Sequence, residues 1–316
     1  MVMRSAAGER IFAILVAGLF SLALGPIAPD ARAEILLKDA MGRQVRLAKP
    51  ATRIVTNESL ILLSLALLDR DPVARLAGWA TPQRFDRGMY AAFRRTFPAI
   101  DDIPVVGAVM PDKTSAESIL SVSPDLFVVS LWQSGWEQTA ELLQAAGVPV
   151  IFLDGADSRT NGPAGATTRA LDLLGKAIGR EDRAREVTAF IDQRYRFIAG
   201  RLAHQAGRPD VLVDAHAGAL CCATPGAGNR LTQIVELAGG HSIGADLPGY
   251  DGQLNVEYVL KSDPDVYIGT GGPHLAAQGG LVVGGGIDAA AARASLADVT
   301  RRNFLDKLTA IRAGNG

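Results

Sequence analysis

The sequence predicts an α/β fold of two Rossmann-like lobes joined by one long bridging helix, with a ligand cleft between the lobes. Three observations support this prediction. Predicted strands and helices alternate along the chain, one long amphipathic segment lies near its middle, and a similar sequence unit stands on each side of that segment. Alternating strands and helices are typical of a mainly parallel sheet with helices on both faces.

The amphipathic segment is Glu181–Leu202, and its pattern predicts one uninterrupted helix of roughly 33 Å. Its apolar residues recur at the helical period. They are Val187, Phe190, Ile191, Tyr195, Phe197, Ile198 and Leu202. Gly207 and Pro209 end the helix. Periodicity alone fits a strut between two lobes and a surface helix of a single domain equally well.

An internal repeat favours the two-lobe interpretation. Residues 115–130 and residues 255–270 each predict a short helix, a Pro-Asp turn and a strand. The matched pairs are Glu117 with Glu257, Leu120 with Leu260, Pro124 with Pro264, and Asp125 with Asp265. Two distant copies on either side of a long helix indicate two similar lobes rather than a solenoid.

The predicted organisation has four parts. They are a signal peptide at 1–33, an N-terminal lobe at 34–163, a connecting segment with the bridging helix at 164–206, and a C-terminal lobe at 207–316. In the first lobe we expect a hairpin at 34–47, strands at 54–55, 73–77, 105–106, 126–130 and 148–153, and helices at 60–68, 86–97 and 137–146. Later elements are helices at 167–178, 231–238 and 301–311, a strand at 211–214 and a loop at 271–286.

The first residues have the features of a secretory signal peptide. Arg4 and Arg10 precede an apolar run at 11–24, and residues 31–33 (ARA) form a small-x-small cleavage site. A membrane anchor is less favoured, because Gly25 and Pro26 break the run. The sequence therefore predicts an exported, periplasmic protein whose mature chain begins at Glu34.

Composition excludes some function classes. The 316 residues are 48% hydrophobic, enough for two lobes with proper cores. The formal net charge of −1 argues against a nucleic-acid partner, because phosphate binding needs a basic face. We expect a monomer.

Enzyme motifs are missing from the sequence. It has no G-x-S-x-G elbow, no phosphate-binding G-x-x-x-x-G-K-[ST] loop and no H-E-x-x-H pair. The four His residues show no short ligand spacing. We therefore predict neither a catalytic residue nor a metal site in the chain itself.

Cys221 and Cys222 are adjacent and are the only cysteines. In an oxidising compartment they could close a vicinal disulfide, which would stiffen a loop that faces a ligand. They could also be reduced thiols or ligands of a soft metal. The disulfide is the preferred prediction, because adjacent cysteines fit the spacing of zinc sites poorly.

Candidate ligand-binding residues follow predicted strands. Open parallel sheets bind ligands outside the carboxyl ends of their strands. The candidates are Trp79, Arg84, Tyr90 and Trp132 in the first lobe, and His216, Cys221, Cys222, Arg230, Tyr250 and His274 in the second. Arg84 and Arg230 would suit an anionic ligand through forked hydrogen bonds. Each Trp could instead cap the lobe core, and each Arg could be a solvated surface charge.

Several short motifs follow one another in a characteristic order. They are residues 39–43 (DAMGR), residues 53–55 (RIV), the Glu117…Pro124-Asp125 unit, residues 147–150 (GVPV), the long helix, residues 238–240 (AGG) and the Glu257…Pro264-Asp265 unit. In this order, behind a signal peptide, they resemble the periplasmic substrate-binding proteins of iron-complex ABC importers. That family handles ferric siderophores, haem and cobalamin.

The resemblance implies a binding protein that captures an iron chelate, needs no cofactor of its own and delivers the chelate to an ABC permease. It implies a small closure motion, because the helix restrains the lobes. It also implies that Glu117 and Glu257 dock with arginines of the permease. Family members continue for a further strand and helix after the position of Arg312, so we expect the second lobe to be truncated.

Two other functions remain open at this point. The first is an exported metal-dependent enzyme or metallochaperone on the same scaffold that uses His216, Cys221 and Cys222. The second is a binding protein for bare zinc or manganese, which the scattered His residues disfavour.

Overall fold

Two parallel sheets form the framework of the structure, a computed structural model that describes residues 34–131, 134–155, 161–218 and 220–314. The larger sheet has the order β5-β4-β3-β6-β7, and the smaller has the order β10-β8-β12. Their strands are β3 (Ile54–Thr56), β4 (Leu76–Ala80), β5 (Val105–Gly107), β6 (Leu126–Val129), β7 (Val150–Phe152), β8 (Asp210–Asp214), β10 (His241–Ser242) and β12 (Val266–Gly269). All pairs within these two sheets are parallel.

Two antiparallel pairs complete the strands. β1 (Ile35–Lys38) pairs with β2 (Gln44–Leu47), and β9 (Ala223–Pro225) pairs with β11 (Asp251–Gln253). The first pair is the predicted N-terminal hairpin. The second pair was not predicted, because its strands are short and rich in turn-forming residues.

Helices connect and cover the sheets. They are α1 (Ile61–Leu68), α2 (Arg87–Thr96), α3 (Ala116–Leu120), α4 (Glu137–Ala145), α5 (Gly162–Ile178), α6 (Glu181–Leu202), α7 (Arg230–Leu237), α8 (Val256–Ser262), α9 (Ala289–Arg302) and α10 (Thr309–Arg312). We call the larger sheet with α1–α4 the N-lobe and everything from β8 onward the C-lobe. The predicted two-lobe α/β fold is confirmed.

The N-lobe sheet is buried on both faces, as parallel sheets usually are. Ile54, Leu126 and Ile151 belong to the core on one face, and Phe127 and Val129 belong to the core on the other. This double burial explains why the N-lobe strands are almost continuously apolar. Because both faces of the sheet are covered, polar groups can gather only in the loops at the ends of its strands.

Two predicted helix boundaries are wrong. The helix expected at 167–178 begins at Gly162, because Pro163 fits the first turn of a helix, where no backbone N–H is needed. The helix expected at 301–311 is instead α9, capped by the Asp288 side chain, followed by a separate short helix, α10. The sequence of α9 is rich in alanine and therefore has little of the apolar periodicity from which a helix is predicted.

The bridging helix has the predicted bounds, and other elements cover its apolar stripe only over the first three turns. Ala184, Val187 and Thr188 are buried. Phe190 and Phe197 are 55% and 56% exposed and carry the guanidinium groups of Arg194 and Arg201 over their rings. The first half of the helix packs on the N-lobe core through α1 and α5, whereas the second half has much of its apolar surface in solvent.

The repeat predicted from the sequence is present in three dimensions. In each lobe, a short capped helix leads into a strand that pairs in parallel with the first strand of that lobe's sheet. Ser115 caps α3 before β6, and Asn255 caps α8 before β12. β6 then pairs with β3, and β12 pairs with β8.

The C-lobe sheet is smaller than the N-lobe sheet among the described residues, as predicted, with three strands against five. A C-terminal truncation stays a prediction. The predicted signal peptide at 1–33 lies outside the described residues. Within the part of the chain that is described, no helix is long and apolar enough to cross a membrane.

Candidate ligand-binding cleft

Polar residues follow the N-lobe strands directly. Asn57, Glu58 and Ser59 come after β3 and are all buried, although each carries a polar side chain. Ser130 follows β6, and Asp154 lies two residues beyond β7. Because these strands are parallel, their carboxyl ends meet at one edge of the sheet, where ligands of such folds bind.

Asp154 is held in place by its own lobe. Its Oδ2 accepts hydrogen bonds from Ser130 Oγ at 2.7 Å and from the Leu131 backbone N–H at 3.2 Å. Ser130 is fixed in turn by Asn57, whose amide bonds both the N–H and the C=O of Ser130 at 2.8 Å. These bonds from the N-lobe are made to Oδ2, so they do not occupy Oδ1.

Glu58 is a second carboxylate at the same edge. Its Oε2 lies 3.1 Å from Arg84 Nε, in an ion pair that lacks hydrogen-bond geometry. Burial raises the pKa of Glu58, the Arg84 guanidinium lowers it in part, and the Asp154 carboxylate raises it further. The edge therefore holds two neighbouring acids, and one of its counter-ions is the predicted site residue Arg84.

The C-lobe presents two loops at the carboxyl ends of β8 and β12. His216 follows β8 and has a positive φ of 53°. Its backbone N–H donates a hydrogen bond to Thr270 Oγ1 at 2.9 Å. Thr270 follows β12, and the same loop carries His274. The two exposed imidazole rings lie edge to face with centroids 5.7 Å apart. The fold thus brings together two predicted site residues that are far apart in the sequence.

Among the described residues, two hydrogen-bonded contacts join the lobes outside the bridging segment. Arg230 Nη2, at the start of α7 in the C-lobe, lies 3.0 Å from Asp154 Oδ1 in the N-lobe. The Gly88 backbone N–H in α2 donates to Gly285 O of the C-lobe loop at 3.2 Å. These contacts place Arg230 and the residues after β12 opposite the polar edge of the N-lobe. The space between them is the candidate ligand cleft.

Cys221 and Cys222 stand in the loop between β8 and β9, with their sulfur atoms against each other. Cys222 is fully buried beside the C-lobe core, and Cys221 packs against the same core. The two cysteines therefore face the interior of the lobe at least as much as the cleft. That they are oxidised in the protein stays a prediction.

Three predicted aromatic residues differ in their surroundings. Trp79 is only 2% exposed and packs on Phe85 in the N-lobe core, so its ring offers no surface to a ligand. Tyr90 donates its O–H to Asp101 at 2.8 Å within the N-lobe. Tyr250 is 58% exposed in the loop before β11. Trp132 lies outside the described residues.

Sequence reasoning missed Glu58 and Asp154. Both lie within two residues of a strand end, the position that predicted the other candidates. The candidates predicted after strands were mainly aromatic and cationic residues and included no acid. An acid two residues beyond each of two parallel strands was the available signal.

Asp214 is a buried acid beneath the C-lobe loops. It ends β8, is 1% exposed and accepts a hydrogen bond from Tyr267 Oη at 2.9 Å. Burial raises its pKa to about 6, and the hydrogen bond from Tyr267 opposes this shift. The pKa of Tyr267 is raised by its own burial and by the Asp214 charge.

A separate apolar cavity of about 450 Å³ lies between the start of α5 and α7. Residues that line it include Pro163, Ala227, Gln233 and Leu237. No cluster of three or more His, Cys, Asp or Glu suited to a metal ion occurs among the described residues.

Comparison with known proteins identifies the family. A family model described as periplasmic binding protein matches residues 55–315, which is most of the chain. This chain belongs to the periplasmic binding protein family. Members of the family are binding proteins rather than enzymes, which agrees with the missing catalytic motifs. A comparison with curated protein sequences found no significant match.

Solved structures of periplasmic binding proteins share the fold. The TroA-like protein FepB from Veillonella parvula has a TM-score of 0.75 at 23% identity, covering 89% of this chain and 82% of its own. The molybdate-binding MolA of Haemophilus influenzae has a TM-score of 0.64 at 15% identity, covering 89% and 81%. A protein of an Fe³⁺-hydroxamate transport system from Saccharomonospora viridis has a TM-score of 0.58 at 22% identity, covering 89% of each chain.

The two glutamates expected to dock with a permease are exposed on equivalent helices of this periplasmic binding protein. Glu117 lies in the first turn of α3, and Glu257 lies in the first turn of α8. A hydrogen bond from its own backbone N–H and another from Ser115 hold the pKa of Glu117 below its usual value. Glu117 is therefore a fixed surface anion.

Proposed function

We propose that this periplasmic binding protein captures an iron chelate of the siderophore type between its lobes and delivers it to an ABC permease. The observation that carries the proposal is the pair of arginines at the cleft, Arg84 from the N-lobe and Arg230 from the C-lobe. Ferric chelates present clustered anionic oxygens, which guanidinium groups bind through paired, charge-assisted hydrogen bonds. The similarity to a protein of an Fe³⁺-hydroxamate transport system supports this ligand class.

Delivery rests on Glu117 and Glu257. The two glutamates occupy the same place in the repeated helix–turn–strand unit of the two lobes, and both are exposed. A pseudo-symmetric pair of anions suits a permease built from two similar halves with arginines at matching positions. Export through a cleavable signal peptide at 1–33 would bring the protein to the periplasm, where its family acts.

A second candidate ligand is haem, and the observation that favours it is the His216–His274 pair. Two exposed imidazoles with centroids 5.7 Å apart offer nitrogen ligands for a metal centre. Haem binding through these rings would produce an absorption band that changes in a His216→Ala or a His274→Ala variant. Ferric siderophores would bind without that dependence.

The test of capture uses the mature chain, residues 34–316, with ferric citrate, ferrioxamine B, haemin and cobalamin. Calorimetry should show one saturable site for one class of chelate, and mass spectrometry of the released ligand should show it unchanged. A chemically altered ligand would argue for an enzyme. A well-folded protein that binds none of the four would contradict the proposed ligand class.

The test of delivery reverses both glutamates, Glu117→Arg and Glu257→Arg, in cells that carry the cognate permease. Uptake of the bound chelate should be lost while its affinity for the purified protein stays unchanged. The matched control is Glu137→Arg, because Glu137 is also exposed in the first turn of a helix, α4. Uptake that survives the double reversal contradicts the docking role.

A further inference from the structure

The ion pair between Asp154 and Arg230 joins residues that lie 76 positions apart in the sequence and on opposite sides of the cleft. Asp154 follows the last strand of the N-lobe sheet. Arg230 begins α7, directly after its cap residue Asn229. Since any widening of the cleft must separate these side chains, the pair reports and favours the closed arrangement.

The two partners are not equally free to move. Both hydrogen bonds to Asp154 Oδ2 come from the N-lobe, so the carboxylate is preorganised with Oδ1 available to the other lobe. Arg230 contributes a long side chain that is 46% exposed. The arginine is therefore the partner that can turn towards a different anion.

A second ion pair, Arg84–Glu58, lies beside the Asp154–Arg230 pair. Glu58 is close enough to Asp154 for the charge of Asp154 to raise the pKa of Glu58. Two acids of the N-lobe are thus balanced by Arg84 from the same lobe and Arg230 from the other. Without Arg230, Asp154 would face Glu58 across a partly buried edge, which is electrostatically unfavourable.

We propose that Asp154 is a built-in competitor for Arg230: it latches the ligand-free cleft closed, and an anionic chelate must take Arg230 from it. This inference rests on the proposed function for its ligand, but the latch itself does not depend on any ligand. A cationic chelate gains nothing from displacing Asp154. The residue therefore sets both the affinity threshold and the charge preference of the site.

Removing the charge of Asp154 should increase the affinity for an anionic ligand, whereas removing a ligand contact would decrease it. Asp154→Asn keeps the size of the side chain and removes its charge, so Arg230 becomes available without competition. Affinity for ferric citrate, an anionic probe, should increase about two- to fivefold, within the range expected for one partly exposed ion pair. Affinity for ferrioxamine B, a cationic probe, should not increase. Arg230→Gln should weaken the binding of ferric citrate.

The latch is tested without ligand through the Gly88 amide, which is hydrogen-bonded to Gly285 across the cleft. Hydrogen exchange of the peptide that contains Gly88 should become faster in Asp154→Asn. The charge-swapped double variant Asp154→Arg with Arg230→Asp should restore slow exchange. The matched control is Arg208→Gln, which breaks the Arg208–Glu236 ion pair inside the C-lobe and should leave Gly88 exchange unchanged.

The outcomes separate this inference from the proposed function. Unchanged Gly88 exchange in Asp154→Asn overturns the latch, whether or not any chelate binds. Weaker binding of ferric citrate by Asp154→Asn, or an equal change for both probes, overturns the competition and makes Asp154 an ordinary ligand contact or a structural residue. If neither probe binds the unmodified protein but Gly88 exchange responds as expected, the latch is retained and the ligand class is wrong.

Discussion

Asp125 and Asp265 make the same contact in the two lobes. Each carboxylate accepts hydrogen bonds from backbone N–H groups at the start of the neighbouring strand. The donors are Thr52 and Arg53, just before β3, for Asp125, and Asp210, the first residue of β8, for Asp265. Each thereby ties the strand that follows it, β6 or β12, to the first strand of its sheet. In each lobe, the aspartate of the repeated Pro-Asp turn therefore helps to fix the register between two paired strands, β6 with β3 and β12 with β8.

The two aspartates should differ in their contribution to stability. Asp125 accepts from two backbone N–H groups and from Thr52 Oγ1, whereas Asp265 accepts from Asp210 N–H. We expect Asp125→Ala to lower the free energy of unfolding by about 1–3 kcal/mol and Asp265→Ala by about 1 kcal/mol or less. Urea unfolding of the two variants measures this difference. Equal losses would mean that the extra bonds of Asp125 contribute nothing.

Gly88 should be essential for closure. A Cβ at this position would lie 2.4 Å from the Gly285 carbonyl carbon, so an alanine must push the two lobes apart. Overpacking of this kind costs about 1–3 kcal/mol, which corresponds to about a five- to 150-fold loss of ligand affinity for Gly88→Ala.

The control for this variant is another helical glycine. Gly200 lies in α6, and a Cβ there would meet nothing within 4 Å. Gly200→Ala should leave ligand affinity unchanged and stabilise the protein by about 0.5–1 kcal/mol, because alanine is the better helix former. If Gly88→Ala binds ligand as well as Gly200→Ala does, the lobes do not close on this contact.

Asp214 should give the protein a pH-dependent stability of opposite sign to that of most carboxylates. Burial raises its pKa from 3.8 to about 6, so the folded state holds a proton that the unfolded state releases. Its contribution is therefore fully present below about pH 4 and is lost as the pH rises through about 6, by about 3 kcal/mol at most.

The comparison that isolates this effect is Asp214→Asn, which keeps an oxygen acceptor for Tyr267. The difference in free energy of unfolding between this variant and the unmodified protein should shift in favour of the variant as the pH rises from 4 to 7. Using the difference cancels the contribution of other carboxylates. A difference that is constant over this range would show that Asp214 titrates at its ordinary pKa.

Thiol counting tests the predicted Cys221–Cys222 disulfide. The unfolded, unreduced protein should have no free thiol, and reduction should release two. Because Cys222 is buried beside the C-lobe core, reduction should also speed hydrogen exchange in the loop between β8 and β9. Two free thiols before reduction would contradict the prediction.

The sequence predicted the features that depend on local pattern. The strands of the N-lobe, the bridging helix and the repeat all have strong periodicity or matched residues, and they are present, although the strand predicted at 73–77 is Leu76–Ala80. The sequence could not show that Phe190 and Phe197 are exposed, because a helical stripe reveals an apolar face but not whether another element covers it. The burial of Trp79 in the core depends in the same way on packing between distant elements.

The candidate site was predicted only in part. Arg84, Arg230, His216 and His274 were chosen from their positions after strands, and they gather with partners in the structure. Those partners include Glu58 and Asp154. Glu58 contacts Arg84 at one edge of the N-lobe sheet, and Asp154 contacts Arg230 of the other lobe. No spacing in the sequence encodes the Asp154–Arg230 pair, because its members are brought together by the bridging helix and the turn that precedes it.

The location of bound iron tests the central claim most directly. We would crystallise residues 34–316 with the ferric chelate that binds most tightly and map the iron from its anomalous scattering. We predict one iron peak between the strand-end edge of the N-lobe and the loops after β8 and β12, with Arg230 turned from Asp154 towards the chelate. An iron peak outside this cleft, for example in the apolar cavity between α5 and α7, would contradict it.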